Sequence, residues 1–198
     1  MRKALLLWST MLLASTVSAT AQTDSVNVWP RDAAIAQHAI EVESLFPMFF
    51  TGGYHFGIGY RHDRLRLRVS VISGGSYDAE PAGIGNSSND FERRYRPSPG
   101  IFLGYNPWRG LETYTYLELH TFEIVQKSSG QTRRIRSTDF GGGVSYQLFL
   151  WRGLYLQPGM HVYLRTDHSA AFNGQTYRIP NVDLSPVIRV GYRLWSLP

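Results

Sequence analysis

The sequence predicts an all-β protein, an eight-stranded antiparallel up-and-down β-barrel, from three observations. The first is strict alternation of apolar and polar residues, clearest between Leu65 and Val71, where Arg66 and Arg68 separate apolar positions. A period of two places the two sets of side chains on opposite faces of a β-strand. The second is a composition with 19 Gly, 12 Tyr and 10 Phe, which is typical of barrels. The third is that the connections between these segments alternate between tight turns and mostly longer loops.

Eight strands are predicted in chain order, and glycine, proline and polar clusters set their boundaries. They span residues 40–50, 54–61, 65–73, 101–105, 111–125, 135–150, 154–165 and 188–194. In the first strand, Ile40, Val42, Phe46 and Met48 share one face. Pro47 in the same segment indicates a bulge or a strand end, because proline cannot donate to a ladder.

The N-terminus predicts export. Arg2 and Lys3 precede a short apolar run that ends at an Ala-x-Ala site, residues 19–21, which is the pattern of a cleaved signal peptide. We therefore expect a signal peptide over 1–21, a lead-in over 22–38, a barrel over 39–195 and a tail over 196–198. The formal charge of +5 falls to +3 without the signal, which does not indicate nucleic-acid binding. The chain contains no cysteine, so no disulfide can stabilise it.

The two ends of the predicted barrel differ. Tight turns near residues 63, 109 and 152 fall at one end, and the loops 74–100, 126–133 and 166–183 fall at the other. Short turns opposite longer loops are typical of transmembrane barrels. Aromatic residues at the turn end are predicted to form an interfacial girdle. They are Tyr60, Trp108, Trp151 and Trp195.

The pattern from Ile40 to Trp195 resembles the small eight-stranded outer-membrane β-barrel proteins of bacteria. The ending Val-Gly-Tyr-Arg-Leu-Trp at 190–195 is similar to the C-terminal assembly signal of that family. Simple alternation places Leu194 in the outward register and Trp195 in the opposite one, whereas the family usually ends at an outward aromatic. The resemblance implies a monomer in the bacterial outer membrane, with the barrel-assembly machinery as a partner during biogenesis.

A transmembrane barrel with an apolar outer face has its polar faces in the lumen. The residues predicted to form a lumen charge network are Glu41, Glu43, Arg64, Arg66, Arg68, Glu118, His120, Arg189 and Arg193. Eight strands enclose an interior that side chains can fill, and buried charges must be paired. The sequence thus predicts a narrow or plugged lumen. The alternative is a soluble, secreted, lipocalin-like barrel whose charges cover the outside.

Two basic clusters lie at the loop end of the predicted strands. Their members are Arg93, Arg94, Arg96, Arg133, Arg134 and Arg136. Arginine forks suit phosphate oxygens, so we expect these residues to bind outer-membrane lipid, specifically lipopolysaccharide. Ordinary solvated charge is the alternative.

The sequence lacks a P-loop, an H-E-x-x-H motif and a G-x-S-x-G motif, which are signatures of common enzymes. We expect no cofactor and no metal, and a non-enzymatic outer-membrane barrel with a structural or surface-recognition role through its loops. The first alternative is a small-solute channel. The second is a lipid-modifying enzyme, since His168-Ser169 invites comparison with the His-x-Ser pair of lipid A deacylases.

Overall fold

The computed structural model describes residues 36–76 and 90–197. The predicted signal peptide and most of the lead-in lie outside the described residues. The strands are β1 (Ala36–Leu45), β2 (Gly53–Asp63), β3 (Leu65–Ser76), β4 (Phe91–Trp108), β5 (Leu111–Gln126), β6 (Thr132–Tyr146), β7 (Leu148–Trp151), β8 (Leu154–Arg165), β9 (Ser169–Phe172), β10 (Gln175–Arg178) and β11 (Val182–Leu197). A short 3-10 helix, Phe46–Phe49, follows β1.

The strands form a closed barrel in the order β1-β2-β3-β4-β5-β6-β8-β11, and β11 pairs with β1. Strand β7 continues β6 beyond an interruption at Gln147 and pairs with the same neighbour, β8. The prediction of an eight-stranded antiparallel barrel is therefore confirmed. Starting at Tyr155 on β8, one can step from each residue to its partner on the next strand once around the barrel. This path returns to β8 at Arg165, ten residues further along the strand. This stagger tilts the strands by roughly 40° and keeps the barrel narrow.

The two faces of the wall are inverted relative to a soluble protein. On β3, Leu67 is 47% exposed on the outer face, while its neighbour Arg66 is fully buried in the lumen. The same contrast recurs on β1, where Glu41 is fully buried. The alternative of a lipocalin-like barrel with charges outside is wrong, because the charges fill the interior and large apolar side chains cover the outside.

Strand β4 begins at Phe91, inside the stretch predicted as a loop. The sequence predicts a loop there because Pro97 and Pro99 cannot donate to a ladder. The Ser98 hydroxyl replaces those bonds: it donates to the Arg96 carbonyl at 2.7 Å and accepts from the Thr121 amide at 3.0 Å. The register with β5 shifts by one residue across this bulge. Residues before the bulge therefore face the opposite way from what simple alternation predicts.

Strand β1 ends at Leu45 rather than near residue 50. The chain then turns at Pro47 into the 3-10 helix, which occupies the wall between β2 and β11. Met48, predicted on the outer face, is instead buried and packs against Gly53, where a Cβ atom would lie 2.3 Å from the Met48 methyl carbon. His55 completes the ladder at this point, because its Nδ1 accepts from the Leu45 amide at 3.1 Å.

A hairpin covers the loop end of the described barrel, within the segment 166–183 that is predicted as a loop. Strands β9 and β10 form a separate two-stranded sheet. Its apolar residues pack against the inner faces of β4, β5 and β6 and form a cluster that we call the apolar cap. The members of the apolar cap are Phe91, Phe122, Ile124, Ile135, Phe172, Tyr177 and Ile179.

The end of β11 contains a second bulge. Glu41 pairs with Arg193, but Ile40 pairs with Trp195, so Leu194 is the extra residue. As a result Leu194 and Trp195 both lie on the outer surface, 59% and 41% exposed. The prediction that Trp195 lies opposite to the outward register is wrong for this reason. Strand β1 begins at Ala36 and β11 continues to Leu197, so the strands extend slightly beyond the expected 39–195.

Candidate functional site

The turn-end half of the lumen contains a layer of ion pairs centred on Arg66. Its guanidinium contacts three carboxylates: Glu41 at 2.7 Å, Glu43 at 2.8 Å and Glu112 at 3.3 Å. Arg66 also donates to Gln157 Oε1 at 3.0 Å. Each carboxylate comes from β1 or β5, and Arg66 comes from β3, so the layer ties opposite walls together. Water is excluded, since the side chains of Arg66, Glu41 and Glu112 are fully buried.

Further arginines surround this centre. Arg68 bridges Glu43 at 2.9 Å and Glu112 at 3.2 Å. Arg193 Nη2 lies 2.6 Å from Glu41 Oε1, which joins the first and last strands of the barrel. Charges of the first and last strands thus meet in the lumen. We call the whole group the charged layer.

One predicted lumen residue lies elsewhere. Arg64 is exposed in the turn between β2 and β3, where it donates to the Pro107 carbonyl at 3.3 Å. The alternation of arginines suggested a lumen position, but the strand begins only at Leu65. The prediction omits other buried lumen charges, among them Arg61, Glu112 and Asp139. Glu112 shares the even-numbered face of Glu118 and His120, so the period of β5 could have identified it.

An aromatic layer lies beyond the charged layer. Phe102, Tyr114 and Tyr116 pack together there, with Tyr163 against them. The Tyr116 hydroxyl donates to the Val162 carbonyl at 2.6 Å. The imidazole of His161 lies among these rings, 5.1 Å from the Tyr114 centroid.

A cluster of acids around His120 lies above the aromatic rings. His120 Nδ1 is 2.8 Å from Asp139 Oδ2, and its Nε2 is 3.7 Å from Glu118. Arg165 Nε lies 3.0 Å from the same Asp139 oxygen, and its Nη1 donates to the Pro180 carbonyl at 2.7 Å. This cluster therefore anchors the segment that carries the β9–β10 hairpin. Among the described residues, no group of His, Asp or Glu could hold a metal ion.

The bulge in β4 divides the six rim arginines between two faces. Arg93 lies over the Phe122 ring, 5.4 Å from its centroid, on the inner face. Arg133 pairs with Ile124 and shares that inner register. Arg94, Arg96, Arg134 and Arg136 lie on the outer wall, and we call these four the arginine ladder.

The arginine ladder forms two rows across β4, β5 and β6. Arg94 and Arg134 flank Glu123, while Arg96 and Arg136 flank Thr121. Glu123 lies 2.6 Å from Arg96 and 3.8 Å from Arg134. The side chains of Arg94, Arg96 and Arg134 are still 52%, 50% and 58% exposed. The next outward position on β5, Leu119, is exposed and apolar, so the ladder lies at the edge of the apolar surface.

The predicted aromatic girdle lies at the turn end and is exposed at all four positions, Tyr60, Trp108, Trp151 and Trp195. The two Trp-Arg-Gly-Leu turns have the same local structure. Arg109 and Arg152 adopt φ angles of 45° and 39°. Each guanidinium lies over the preceding indole, at 4.8 Å and 5.2 Å.

Solved structures with some similarity to this chain include the following two. The N-terminal β-barrel domain of Pseudomonas aeruginosa OprF aligns with a TM-score of 0.43 and 13% identity, covering 80% of this chain and 98% of that one. Neisserial surface protein A (NspA) aligns with a TM-score of 0.40 and 13% identity, covering 80% and 96%. No protein-family model matches the sequence. No curated protein sequence matches it significantly either.

No helix in the described part of the chain is long and apolar enough to cross a membrane.

Proposed function

We propose that this chain is a non-enzymatic protein of the bacterial outer membrane, a monomeric barrel with a closed lumen that acts at the cell surface through its loop end. The inverted wall carries the proposal: the outer surface is apolar and the charges are inside. Backbone groups in lipid must be satisfied internally, and a closed barrel does this. The barrel-assembly machinery would insert the chain after removal of the signal peptide.

Membrane location is tested by fractionation and gel mobility. The protein should remain with outer membranes after a carbonate wash and should migrate faster unheated than boiled. Recovery in the soluble periplasmic fraction, without heat-modifiable mobility, would overturn the proposal.

A closed lumen is supported by two barriers in series. The charged layer is centred on the fully buried Arg66, and the apolar cap covers the loop end with Phe122 and Ile124, both fully buried. Planar bilayers containing the purified protein should therefore carry little steady current. Large and stable channels would instead favour the alternative function, a small-solute channel.

The geometry around the histidines supports a non-enzymatic role. His168 and Ser169 are both exposed. They are consecutive, and His168 precedes β9, which begins at Ser169. The buried His120 pairs with Asp139, but the Ser137 hydroxyl donates to Asp139 as well and not to the imidazole. Lipid A from cells that overproduce the protein should keep its mass spectrum. A new lipid A species that disappears in the His120→Ala variant would establish an enzyme.

Lipopolysaccharide is the proposed partner of the arginine ladder. The ladder faces outward at the border of the apolar surface, where phosphates of the outer leaflet lie. The four arginines share the patch with Glu92 and Glu123, which leaves a net charge of +2. Neighbouring strands are about 5 Å apart, so the arginines of β4 and β6 lie about 10 Å apart across β5. One phosphorylated headgroup can therefore contact several forks.

The inner and outer arginines provide a matched pair of variants. Replacing Arg94, Arg96, Arg134 and Arg136 with glutamine should abolish salt-sensitive co-purification of lipopolysaccharide. The Arg93→Gln/Arg133→Gln control changes inner-register positions of the same strands and should retain it. If the fourfold variant folds and retains as much lipopolysaccharide as the wild type, the ladder is ordinary solvated charge.

A further inference from the structure

The turn end carries three exposed arginines, Arg64, Arg109 and Arg152, one in each of the tight turns that follow β2, β4 and β7. Among the described residues, none of the three forms an ion pair with a carboxylate. The exposed acid of these turns is Asp63. Three arginines against one carboxylate leave a net charge of +2 on the surface of the three turns.

Arg109 and Arg152 are held in the same way. Each guanidinium lies over the indole of the preceding residue, 4.8 Å from the ring centre of Trp108 and 5.2 Å from that of Trp151. The two tryptophans are 56% and 65% exposed, and they belong to the predicted girdle, whose rings lie at the level of lipid headgroups. An aromatic face attracts the positive charge of a guanidinium and leaves its N–H groups available. In the described part of the chain neither guanidinium donates a hydrogen bond, so each turn presents a fork of donors at headgroup level.

The backbone of the two turns does not favour arginine. Arg109 and Arg152 have φ angles of 45° and 39°, in the left-handed region where a Cβ atom is unfavourable. In the first turn the residue that likewise follows the last paired position of the strand is Asp63, with a φ of 50°, and aspartate and asparagine enter this region more readily. Arginine has no such local advantage, and yet it occupies the position twice. The side chain, which contacts an indole and is otherwise exposed, therefore accounts for the choice of residue.

We propose that each of these two Trp-Arg turns binds the phosphate group of an anionic phospholipid in the leaflet at the turn end. The phosphate oxygens accept hydrogen bonds from the guanidinium, and the indole packs at the border between headgroup and acyl chains. An anionic headgroup fits better than a zwitterionic one, because the turns are positively charged and a zwitterionic headgroup brings a cation of its own. The two turns act separately, so no lipid has to reach both. The inference rests on the proposed membrane location, but not on the arginine ladder, which lies at the other end of the barrel.

The lipid selectivity of the purified protein tests the proposal. Since the arginine ladder would bind anionic lipid as well, the measurement starts from its fourfold glutamine variant. This protein is folded in neutral detergent and titrated with phosphatidylglycerol or phosphatidylcholine, and bound lipids are counted by native mass spectrometry. We expect two phosphatidylglycerol molecules to bind more tightly than phosphatidylcholine does. Adding Arg109→Asn and Arg152→Asn should weaken the binding at each turn by about fivefold. Asparagine suits the left-handed backbone, so heat-modifiable gel mobility should be unchanged.

Arg64→Gln in the same background is the matched control. It removes one charge at the same end, but from a side chain that donates to the Pro107 carbonyl. It should leave the affinity of the two tight sites within about twofold. An equal loss in Arg64→Gln would assign the binding to general surface charge and overturn the proposal. Unchanged binding after the two asparagine substitutions would overturn it too, as would the absence of any preference for phosphatidylglycerol before them.

Failure of this proposal and failure of the proposed function give different results. A protein without phosphatidylglycerol preference that still remains with outer membranes after a carbonate wash refutes the lipid sites alone. Recovery in the soluble periplasmic fraction would overturn both.

Discussion

Among the described residues, the two ends of the lumen are packed with side chains of opposite chemistry. At the turn end, Arg66 and its carboxylates exclude water through ion pairs. At the loop end, Phe122 and Ile124 do so through apolar contact. The difference follows from the surroundings. The charged layer lies inside the part of the barrel whose outer surface is apolar. The apolar cap lies nearer the loop end, where the projecting β9–β10 hairpin needs a core of its own. We therefore expect that removing one member of the charged layer destabilises the whole layer, whereas each small deletion in the apolar cap has a small and local effect.

Loss of the centre of the charged layer should have the largest effect. Arg66→Leu leaves three carboxylates without their shared partner, and breaking a buried pair costs about 3–5 kcal/mol. The free energy of unfolding in urea, measured in detergent or lipid, should fall by that amount. Arg64→Leu is the control because Arg64 is exposed in the turn, and its effect should stay within about 0.5 kcal/mol. Similar losses in both variants would mean that the charged layer has no special role.

A charge on the outside of the same strand sharpens the contrast between faces. Leu67→Arg places a charge on the apolar exterior, where it should cost about 2–4 kcal/mol. Spin or fluorescent labels at 67 and 66 should differ strongly in quenching by lipid-borne quenchers. Equal quenching at both positions would contradict the assignment of faces.

A small deletion in the apolar cap should have a local effect only. Ile179→Val removes one methylene from a fully packed position, which costs about 1 kcal/mol. We expect faster hydrogen exchange in β9 and β10 and an unchanged rate in β1 and β3. Uniformly faster exchange throughout the barrel would show that the apolar cap and the charged layer are one cooperative unit.

The smallest effect should come from a polar contact at the rim. Asp90 accepts from the Ser128 hydroxyl at 2.7 Å and from the Ser128 amide at 2.8 Å. These bonds, the hydroxyl first, hold the pKa of Asp90 below its ordinary value. A lowered pKa means that the contact stabilises the folded turn above the unfolded pKa and is lost as pH falls through the folded one. Protection of the Ser128 amide should decline in acid below about pH 4, and Asp90→Asn should remove this pH dependence.

The periodic part of the fold was predictable, and its interruptions were not. Alternation placed Arg66 and Leu67 on the correct faces because a strand's side chains repeat every two residues. The bulge near Ser98 and the one at Leu194 each shift that period by one, and a local backbone event of this kind has no periodic signature. The β9–β10 hairpin did have a signal, since Asn173-Gly174 is a strong two-residue turn pair.

The candidate sites were predictable to the same degree. The lumen charges were predicted as a group, but the pairing of Arg66 with Glu112 depends on the stagger of the closed barrel, which brings β3 and β5 together across the lumen.

The early end of β1 has a consequence for the order of folding. The first and last strands meet at eight paired positions, from His38 opposite Leu197 to Leu45 opposite Arg189. These contacts join the most distant parts of the barrel sequence, and such non-local pairing is slow. Beyond Leu45 the remaining slot is filled by a segment only a few residues away, with Met48 as its buried side chain. We therefore expect two kinetic phases, a slow circular closure at the turn end followed by a fast local docking that seals the loop end.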